Sequence, residues 1–148
     1  MPLRLRQAVS LFVLLLALPK IVWANDWPHW RGPLGNGVSL DATPPVSFGA
    51  TDNVVWKVAI PGRGSSSPVV QGDRVFVTTA VPVAGSGDTF EFRVLCFDRA
   101  TGRERWSRTS VTAKPHEGTH QTNGFASASP CTDAVSYTHL RAHETRED

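Results

Sequence analysis

Two short stretches of this chain carry side chains that can do chemistry, hydroxyls in one and imidazole and amide groups in the other. They are Ser65, Ser66 and Ser67, and His116, His120 and Asn123. A serine acts as a nucleophile only beside a base and an orienting acid, and no such set can be assigned here. Gly118 interrupts the histidine stretch, so no helix places both imidazoles on one face, and two exposed histidines explain the pattern better than a metal pair. We therefore assign no catalytic residue and no metal ligand.

Short strands and tight turns must position these side chains. Apolar and polar residues alternate from Arg74 to Thr79, which is typical of a pleated strand. Asp98 and Gly102 bound a predicted tight turn, because aspartate accepts local backbone hydrogen bonds and glycine supplies a positive φ. The sequence predicts a four-stranded antiparallel sheet over residues 66–70, 74–79, 90–97 and 103–109, with a further strand over residues 53–60.

The lengths of the connections predict where binding takes place. Antiparallel strands alternate in direction, so the two long connections, residues 80–89 and 110–125, leave the same end of the sheet. Long loops gathered on one side of a rigid scaffold are common binding sites. The predicted ligand contacts at this end are Ser65, Ser66, His116, His120 and Asn123.

The strand pattern begins twice. Trp56 precedes Ser67-Pro68, and about fifty residues later Trp106 precedes Ser129-Pro130. Internal repeats of this length, built from short strands, indicate a propeller or a related array. The second copy stops soon after its Ser-Pro pair, so we expect this chain to be a fragment of a larger molecule.

The repeat resembles that of the pyrroloquinoline-quinone (PQQ)-like β-propellers. Residues 94–106, VLCFDRATGRERW, are similar to its apolar strand, Asp-x-x-Thr-Gly turn and following tryptophan, and residues 26–33, DWPHWRGP, are similar to the opening of its secreted members. Residues 120–127, HQTNGFAS, are similar to the Asn-x-aromatic-Ala-Ser segment of those members. The resemblance implies an all-β N-terminal fragment, one blade plus parts of its neighbours, of a seven- or eight-bladed propeller. In such a propeller Trp56, Trp106 and Gly102 are expected to pack between blades.

What the resemblance implies for function depends on the branch of the family. Quinoprotein dehydrogenases of this fold use PQQ with calcium, a catalytic aspartate and often adjacent cysteines, whereas other members bind protein partners without a quinone. This sequence has no adjacent cysteines and no aspartate that matches the catalytic one, and function belongs to sites rather than to folds. We expect an exported binding or scaffold protein for a protein or cell-envelope ligand, with no cofactor in this fragment.

Two alternatives stay open. The first is a PQQ-dependent periplasmic dehydrogenase whose active-site residues, with PQQ and calcium, belong to missing blades. The second is a carbohydrate-associated extracellular module in which Trp27, Trp30 and Phe125 stack on sugars. The charges between residues 25 and 133 are balanced, ten basic against ten acidic, and form no basic stripe, so we expect no nucleic-acid partner.

The remaining sequence divides the chain into four parts. Residues 1–24 have the basic start, the apolar run and the small-residue ending of a signal peptide, which predicts a periplasmic or secreted protein with no membrane span after cleavage. Residues 25–52 are expected to pack on the propeller, and residues 53–134 to form the partial propeller. Residues 135–145, VSYTHLRAHET, resemble the conceptual translation of a transposase sequencing adapter, so residues 135–148 are interpreted as a non-native tail.

Overall fold

The computed structural model describes residues 26–40 and 42–133, and the backbone of residues 137–139. The predicted signal peptide, residues 1–24, lies outside the described residues, as does most of the predicted tail over 135–148. Within the described part of the chain all regular structure is β, and no helix is present. The all-β class is therefore confirmed.

One antiparallel sheet of four strands dominates the fold. Its strands are β1 (Val69–Gln71), β2 (Arg74–Pro82), β3 (Phe90–Asp98) and β4 (Glu104–Ala113), and they lie in the order β1-β2-β3-β4. A separate hairpin pairs β5 (Pro130–Thr132) with β6 (Tyr137–His139). The predicted sheet and its order are confirmed, with Trp106 on the strand at the outer edge.

A cluster of buried apolar side chains lies on one face of this sheet, which we call the core face. Val69 pairs with Phe76, Phe76 with Cys96 and Cys96 with Trp106, so four side chains from four strands stand in one row. Val69, Phe76 and Cys96 are buried, and the Phe76 and Trp106 rings lie 5.9 Å apart at an interplanar angle of 53°. Such a tilted pair adds to the stabilisation that comes from apolar burial alone.

Both faces of the sheet are covered, because residues that alternate along a strand point to opposite sides and both sets contain buried members. On the core face, the Thr78 hydroxyl donates a hydrogen bond to the Ala128 carbonyl at 3.0 Å. On the opposite face, the buried Thr79 hydroxyl donates to the Pro61 carbonyl at 2.6 Å. The sheet therefore lies between two chain segments, one that precedes β1 and one that precedes β5.

The prediction of a strand over residues 53–60 is wrong. These residues pair with no neighbouring strand in the described part of the chain, and Val55 is 84% exposed. Their alternation of apolar residues satisfies the strand pattern, but a strand also needs a partner whose backbone groups it can bond. The structure uses the segment differently, since it docks the Trp56 side chain against the β3–β4 turn.

The start of the described chain adds to the sheet at its β1 edge. The backbone N–H and carbonyl of Trp27 bond the carbonyl and N–H of Val70 at 2.8 and 2.9 Å. The Pro28 carbonyl accepts a hydrogen bond from Thr132 of β5 at 3.0 Å. Residues 26–28 thus join β1 to β5. Among the residues described, no helix is long and apolar enough to cross a membrane.

Candidate functional site

The two long connections leave the same end of the sheet, which we call the long-loop end. Residues 83–89 join β2 to β3, and residues 114–129 join β4 to β5. An ion pair of 3.3 Å between Lys114 and Asp88 links the two connections, and the rings of Phe90 and Phe125 lie 4.9 Å apart. The ring contact holds the loop that carries the predicted histidines and Asn123 against the end of the sheet, and the exposed ion pair lies beside it.

The two Ser-Pro segments lie side by side at this end. Gly64 forms a parallel bridge with Ala126, and the Ser65 N–H donates to the Ala126 carbonyl at 3.0 Å. The Ser67 N–H donates to the Ser129 hydroxyl at 2.8 Å. Gly64 and Ala126, like Ser67 and Ser129, occupy equivalent positions of the two repeats, so the repeats meet in register.

Glycine at position 64 is required by this close approach. A Cβ there would stand 2.6 Å from the Thr78 carbonyl oxygen and 3.2 Å from that of Ala126. Real Cβ atoms essentially never come within 3.0 Å of a heavy atom from elsewhere in the chain. The backbones of β2 and the two Ser-Pro segments therefore come this close only because residue 64 has no side chain.

Ser66 and Ser65 have different environments. The Ser66 hydroxyl accepts from the Thr78 N–H at 3.2 Å and donates to the Thr78 carbonyl at 3.3 Å, so its hydrogen-bonding capacity is used within the sheet. Ser65 is exposed, and its backbone rather than its hydroxyl makes the contact to Ala126. Only Ser65 therefore presents its side chain to solvent.

Asn123 anchors the turn that leads into the second Ser-Pro segment. Its N–H donates to the His120 carbonyl at 2.9 Å, and its side-chain Oδ1 lies 2.9 Å from the Ser127 hydroxyl. His120 is exposed, and its Nδ1 lies 2.9 Å from the Thr122 hydroxyl. His116 is also exposed, but no described hydrogen bond joins it to the others. The structure thus brings Ser65, Ser66, His120 and Asn123 to one end of the sheet, and His116 lies on the same connection between β4 and β5.

Arg63 is a residue of this end that sequence reasoning missed. Its backbone N–H and carbonyl pair with Ala80 at 3.0 Å each, and its guanidinium donates to the Gln121 carbonyl. A Cβ on Gly124 would stand 3.2 Å from the Arg63 carbonyl oxygen, so the loop lies directly on this residue. A single arginine between two glycines was the only signal in the sequence.

The opposite end of the sheet, which we call the short-turn end, holds a charged cluster. Arg105 lies 2.6 Å from the Asp73 carboxylate and 2.5 Å from that of Asp98. Its hydrogen bond, followed by that of Thr101, lowers the pKa of Asp98 to about 2. The same guanidinium lowers the pKa of Asp73, and the two carboxylates raise the pKa of Arg105 above its already high value.

Asp98 also forms the predicted turn between β3 and β4. Its Oδ1 accepts from the N–H groups of Ala100 and Thr101 at 3.1 and 2.9 Å, and Gly102 adopts a φ of 70°. The turn prediction is therefore confirmed. One guanidinium faces two carboxylates in this cluster, and Arg74, whose Nε lies 3.5 Å from Asp73, supplies the second positive charge. These charged groups pair with one another and hold the two turns together.

Trp56 packs on this same turn. Its indole N–H donates to the Arg99 carbonyl at 2.8 Å, and its ring lies over Gly102, where a Cβ would stand 2.6 Å from Trp56 Cδ2. Trp106, in contrast, packs on Phe76 within the sheet. Both tryptophans are half-buried. Trp56 joins the segment before the sheet to the β3–β4 turn, and Trp106 packs on a neighbour within the sheet.

Comparisons with family models, with curated protein sequences and with solved structures find no match for this chain. Among the residues described, no three histidine, cysteine, aspartate or glutamate side chains are grouped to hold a metal ion, and no disulfide joins Cys96 to Cys131. Cys96 is buried, and this burial raises the pKa of its thiol.

Proposed function

We propose that this chain belongs to an exported β-propeller of the PQQ-like repeat class that binds a protein or cell-envelope ligand at its long-loop end. The register between Gly64 and Ala126 and between Ser67 and Ser129 carries the proposal. Equivalent positions of successive repeats touch there, through backbone groups at Ala126 and through the hydroxyl of Ser129. Inner strands that converge on a shared axis meet in this way, as the sheets of a propeller do.

The cover on both faces of the sheet supports the same architecture. A blade in a propeller is packed between its two neighbours, and the repeat can bury its faces only against them. Here the sheet contacts Pro61 on one face and Ala128 on the other, and those residues belong to the segments before the two successive Ser-Pro pairs.

The chemistry of the long-loop end favours binding over catalysis. Ser65 has no base or acid in hydrogen-bond contact with its hydroxyl among the described residues, and the Ser66 hydroxyl is occupied by Thr78. The exposed polar groups, Ser65 and His120, lie on two loop segments that backbone hydrogen bonds hold in place. Rigidly placed polar groups of this kind lower the entropic cost of ligand binding.

Photo-crosslinking tests which end binds. The full chain, exported by a bacterial host, carries a photo-reactive phenylalanine at position 65 or 120, with position 103 at the short-turn end as the matched control. Arg103 is exposed and its side chain makes no described contact, so the control leaves the fold intact. We expect discrete adducts from positions 65 and 120 and none from 103. Adducts from 103 alone, or from no position, would contradict a ligand-binding long-loop end.

The carbohydrate alternative has one observation in its favour. Trp30 is 60% exposed, with the Arg31 guanidinium 4.8 Å from its ring centroid, which leaves an aromatic surface available for stacking on a sugar. The other two candidate rings are already engaged, because Trp27 lies on Gly32 and Phe125 on Phe90. Glycan-array binding that is lost in Trp30→Ala would select this alternative.

The dehydrogenase alternative has its own test. Quinone absorbance and dye reduction on addition of PQQ and calcium would select a dehydrogenase.

A further inference from the structure

The chain contains two Asn-Gly pairs, Asn36-Gly37 and Asn123-Gly124, whose reactivity the structure makes unequal. In such a pair the backbone nitrogen of glycine can attack the side-chain carbonyl carbon, Cγ, of the asparagine, because glycine has no Cβ to obstruct the approach. The reaction requires that this nitrogen lie beside the side chain and that its N–H not be bonded elsewhere.

The first pair is held in an unreactive arrangement. The Gly37 N–H donates to the Arg31 carbonyl at 2.8 Å, which directs the nitrogen away from the asparagine side chain. The Asn36 Oδ1 accepts from the Val38 N–H at 2.9 Å. The Gly37 nitrogen is therefore held by Arg31 and not beside the side chain that it would attack, although the pair lies on an exposed turn.

The second pair has the opposite arrangement. The Gly124 N–H donates to the Asn123 Oδ1 at 2.9 Å, and to no other acceptor among the described residues. Because Cγ is bonded directly to Oδ1, the glycine nitrogen also lies beside the carbon that it must attack. A rotation of the Asn123 side chain turns this contact from the oxygen to the carbon.

Ser127 adds a group that can assist the reaction. Its hydroxyl oxygen lies 2.9 Å from the Asn123 Oδ1 and 2.7 Å from the Gly124 carbonyl oxygen. The hydroxyl has one proton, which it donates to one of these acceptors at a time. When it donates to Oδ1 it polarises the carbonyl group and stabilises the negative charge that develops on that oxygen during attack.

We propose that Asn123 is a self-modifying site, where the Gly124 nitrogen and the Ser127 hydroxyl convert the amide to aspartate and isoaspartate. The Gly124 N–Cγ bond forms, the bond from Cγ to the side-chain nitrogen breaks, and the proton lost by Gly124 leaves with ammonia. Water then opens the cyclic imide at either carbonyl. No oxidant or reductant takes part in either step.

The product changes the long-loop end in charge and in backbone length. It adds a carboxylate at the residue before Gly124, and Arg63 Cγ lies 3.3 Å from the position that a Cβ on Gly124 would take. Isoaspartate also lengthens the main chain by one carbon inside the turn that precedes the second Ser-Pro segment. This inference does not rest on the proposed ligand, and mass measurement tests it separately.

The experiment incubates the full chain at mildly alkaline pH and follows both asparagines by peptide mass spectrometry and by enzymatic labelling of isoaspartate. We expect Asn123 to convert several-fold faster than Asn36 in the folded chain, and the two rates to become similar in denaturant. Ser127→Ala should slow Asn123 several-fold and leave Asn36 unchanged. Folding of that variant is checked by its far-UV circular dichroism. An Asn36 rate equal to or above that of Asn123, or an Asn123 rate unaffected by Ser127→Ala in the folded chain, would overturn the proposal.

Discussion

The Trp56 indole rests on Gly102 so closely that a Cβ at residue 102 would stand 2.6 Å from Trp56 Cδ2. Gly102 is buried beneath the ring, has a φ of 70° and ends the turn that Asp98 begins. One glycine thus meets two separate demands, a left-handed backbone and space for an aromatic side chain from a segment that precedes the sheet.

Alanine substitutions at two glycines separate the cost of a left-handed backbone from the cost of crowding against Trp56. Gly102→Ala should destabilise the chain by about 1–2 kcal/mol through its left-handed backbone and by about 1–3 kcal/mol more through overpacking against Trp56. Gly85→Ala is the matched control, because Gly85 has a φ of 75° and no atom within 4 Å of its Cβ position. Urea unfolding should show the larger loss for Gly102→Ala; equal losses would mean that the indole moves aside without cost.

The Thr79 hydroxyl should contribute measurably to stability. Thr79→Val keeps the shape of the side chain but leaves the Pro61 carbonyl without its 2.6 Å donor in a buried position. We expect a loss of about 1–3 kcal/mol in the free energy of unfolding. Thr109→Val, on the exposed outer strand, should be nearly neutral. A Thr79→Val variant as stable as the parent would show that the segment of residues 53–61 does not bind this face in solution.

Stability should fall in acid through Asp98. Its folded pKa of about 2 lies below the ordinary aspartate value of about 3.9, so its ionised form is stabilised in the folded chain. This contribution is complete above pH 4 or so, and is lost as pH falls through the folded pKa of about 2. Melting temperatures measured from neutral to low pH should decline over that interval.

Arg105→Gln should flatten this decline, since Arg105 is the main cause of the low pKa of Asp98. Lys114→Gln is the control, because the ion pair of Lys114 with Asp88 is 70% and 78% exposed and such pairs contribute little. An acid profile of Arg105→Gln that superimposes on the parent profile would exclude the Arg105 cluster as the source of the acid sensitivity.

The first part of the chain should direct export. Residues 1–30 fused to a β-lactamase without its own leader should give a bacterial host ampicillin resistance, because that enzyme acts only outside the cytoplasm. The same fusion with Leu14→Arg and Leu16→Arg interrupts the apolar run and should abolish resistance. Resistance that survives both substitutions, or none in the parent fusion, would contradict a periplasmic or secreted location.

Local chemistry explains why much of the sheet could be predicted. Gly72 and Gly102 mark the turns, and the alternation through β2 gave its start at Arg74 correctly. The strand ends were less accurate, since β4 runs to Ala113 rather than residue 109 and β1 begins at Val69 rather than residue 66. The ends depend on which neighbour supplies hydrogen bonds, and a single strand's sequence does not contain that information.

The candidate site was only partly predictable for a related reason. Loop length alone placed Ser65 and Asn123 at one end, because antiparallel order fixes the direction of each connection. The role of Arg63 depends on a loop that folds back from residue 121, and nothing near Arg63 in sequence indicates that contact. The partnership of Arg105 with Asp73 and Asp98 likewise spans 32 and 7 residues.

The contact between Gly64 and Ala126 allows the loop before Ala126 to change in length without changing the register of the two segments. Trp56 and Trp106 are fifty positions apart in the chain, but Gly64 and Ala126 are sixty-two apart, and the extra length is taken up between Trp106 and Ala126. Because the register between Gly64 and Ala126 is fixed by contacts between the two segments, the connection that follows β4 can gain or lose residues while this register is kept. Changes of length are thereby confined to the long-loop end, and the two segments that touch stay under a constant geometric requirement.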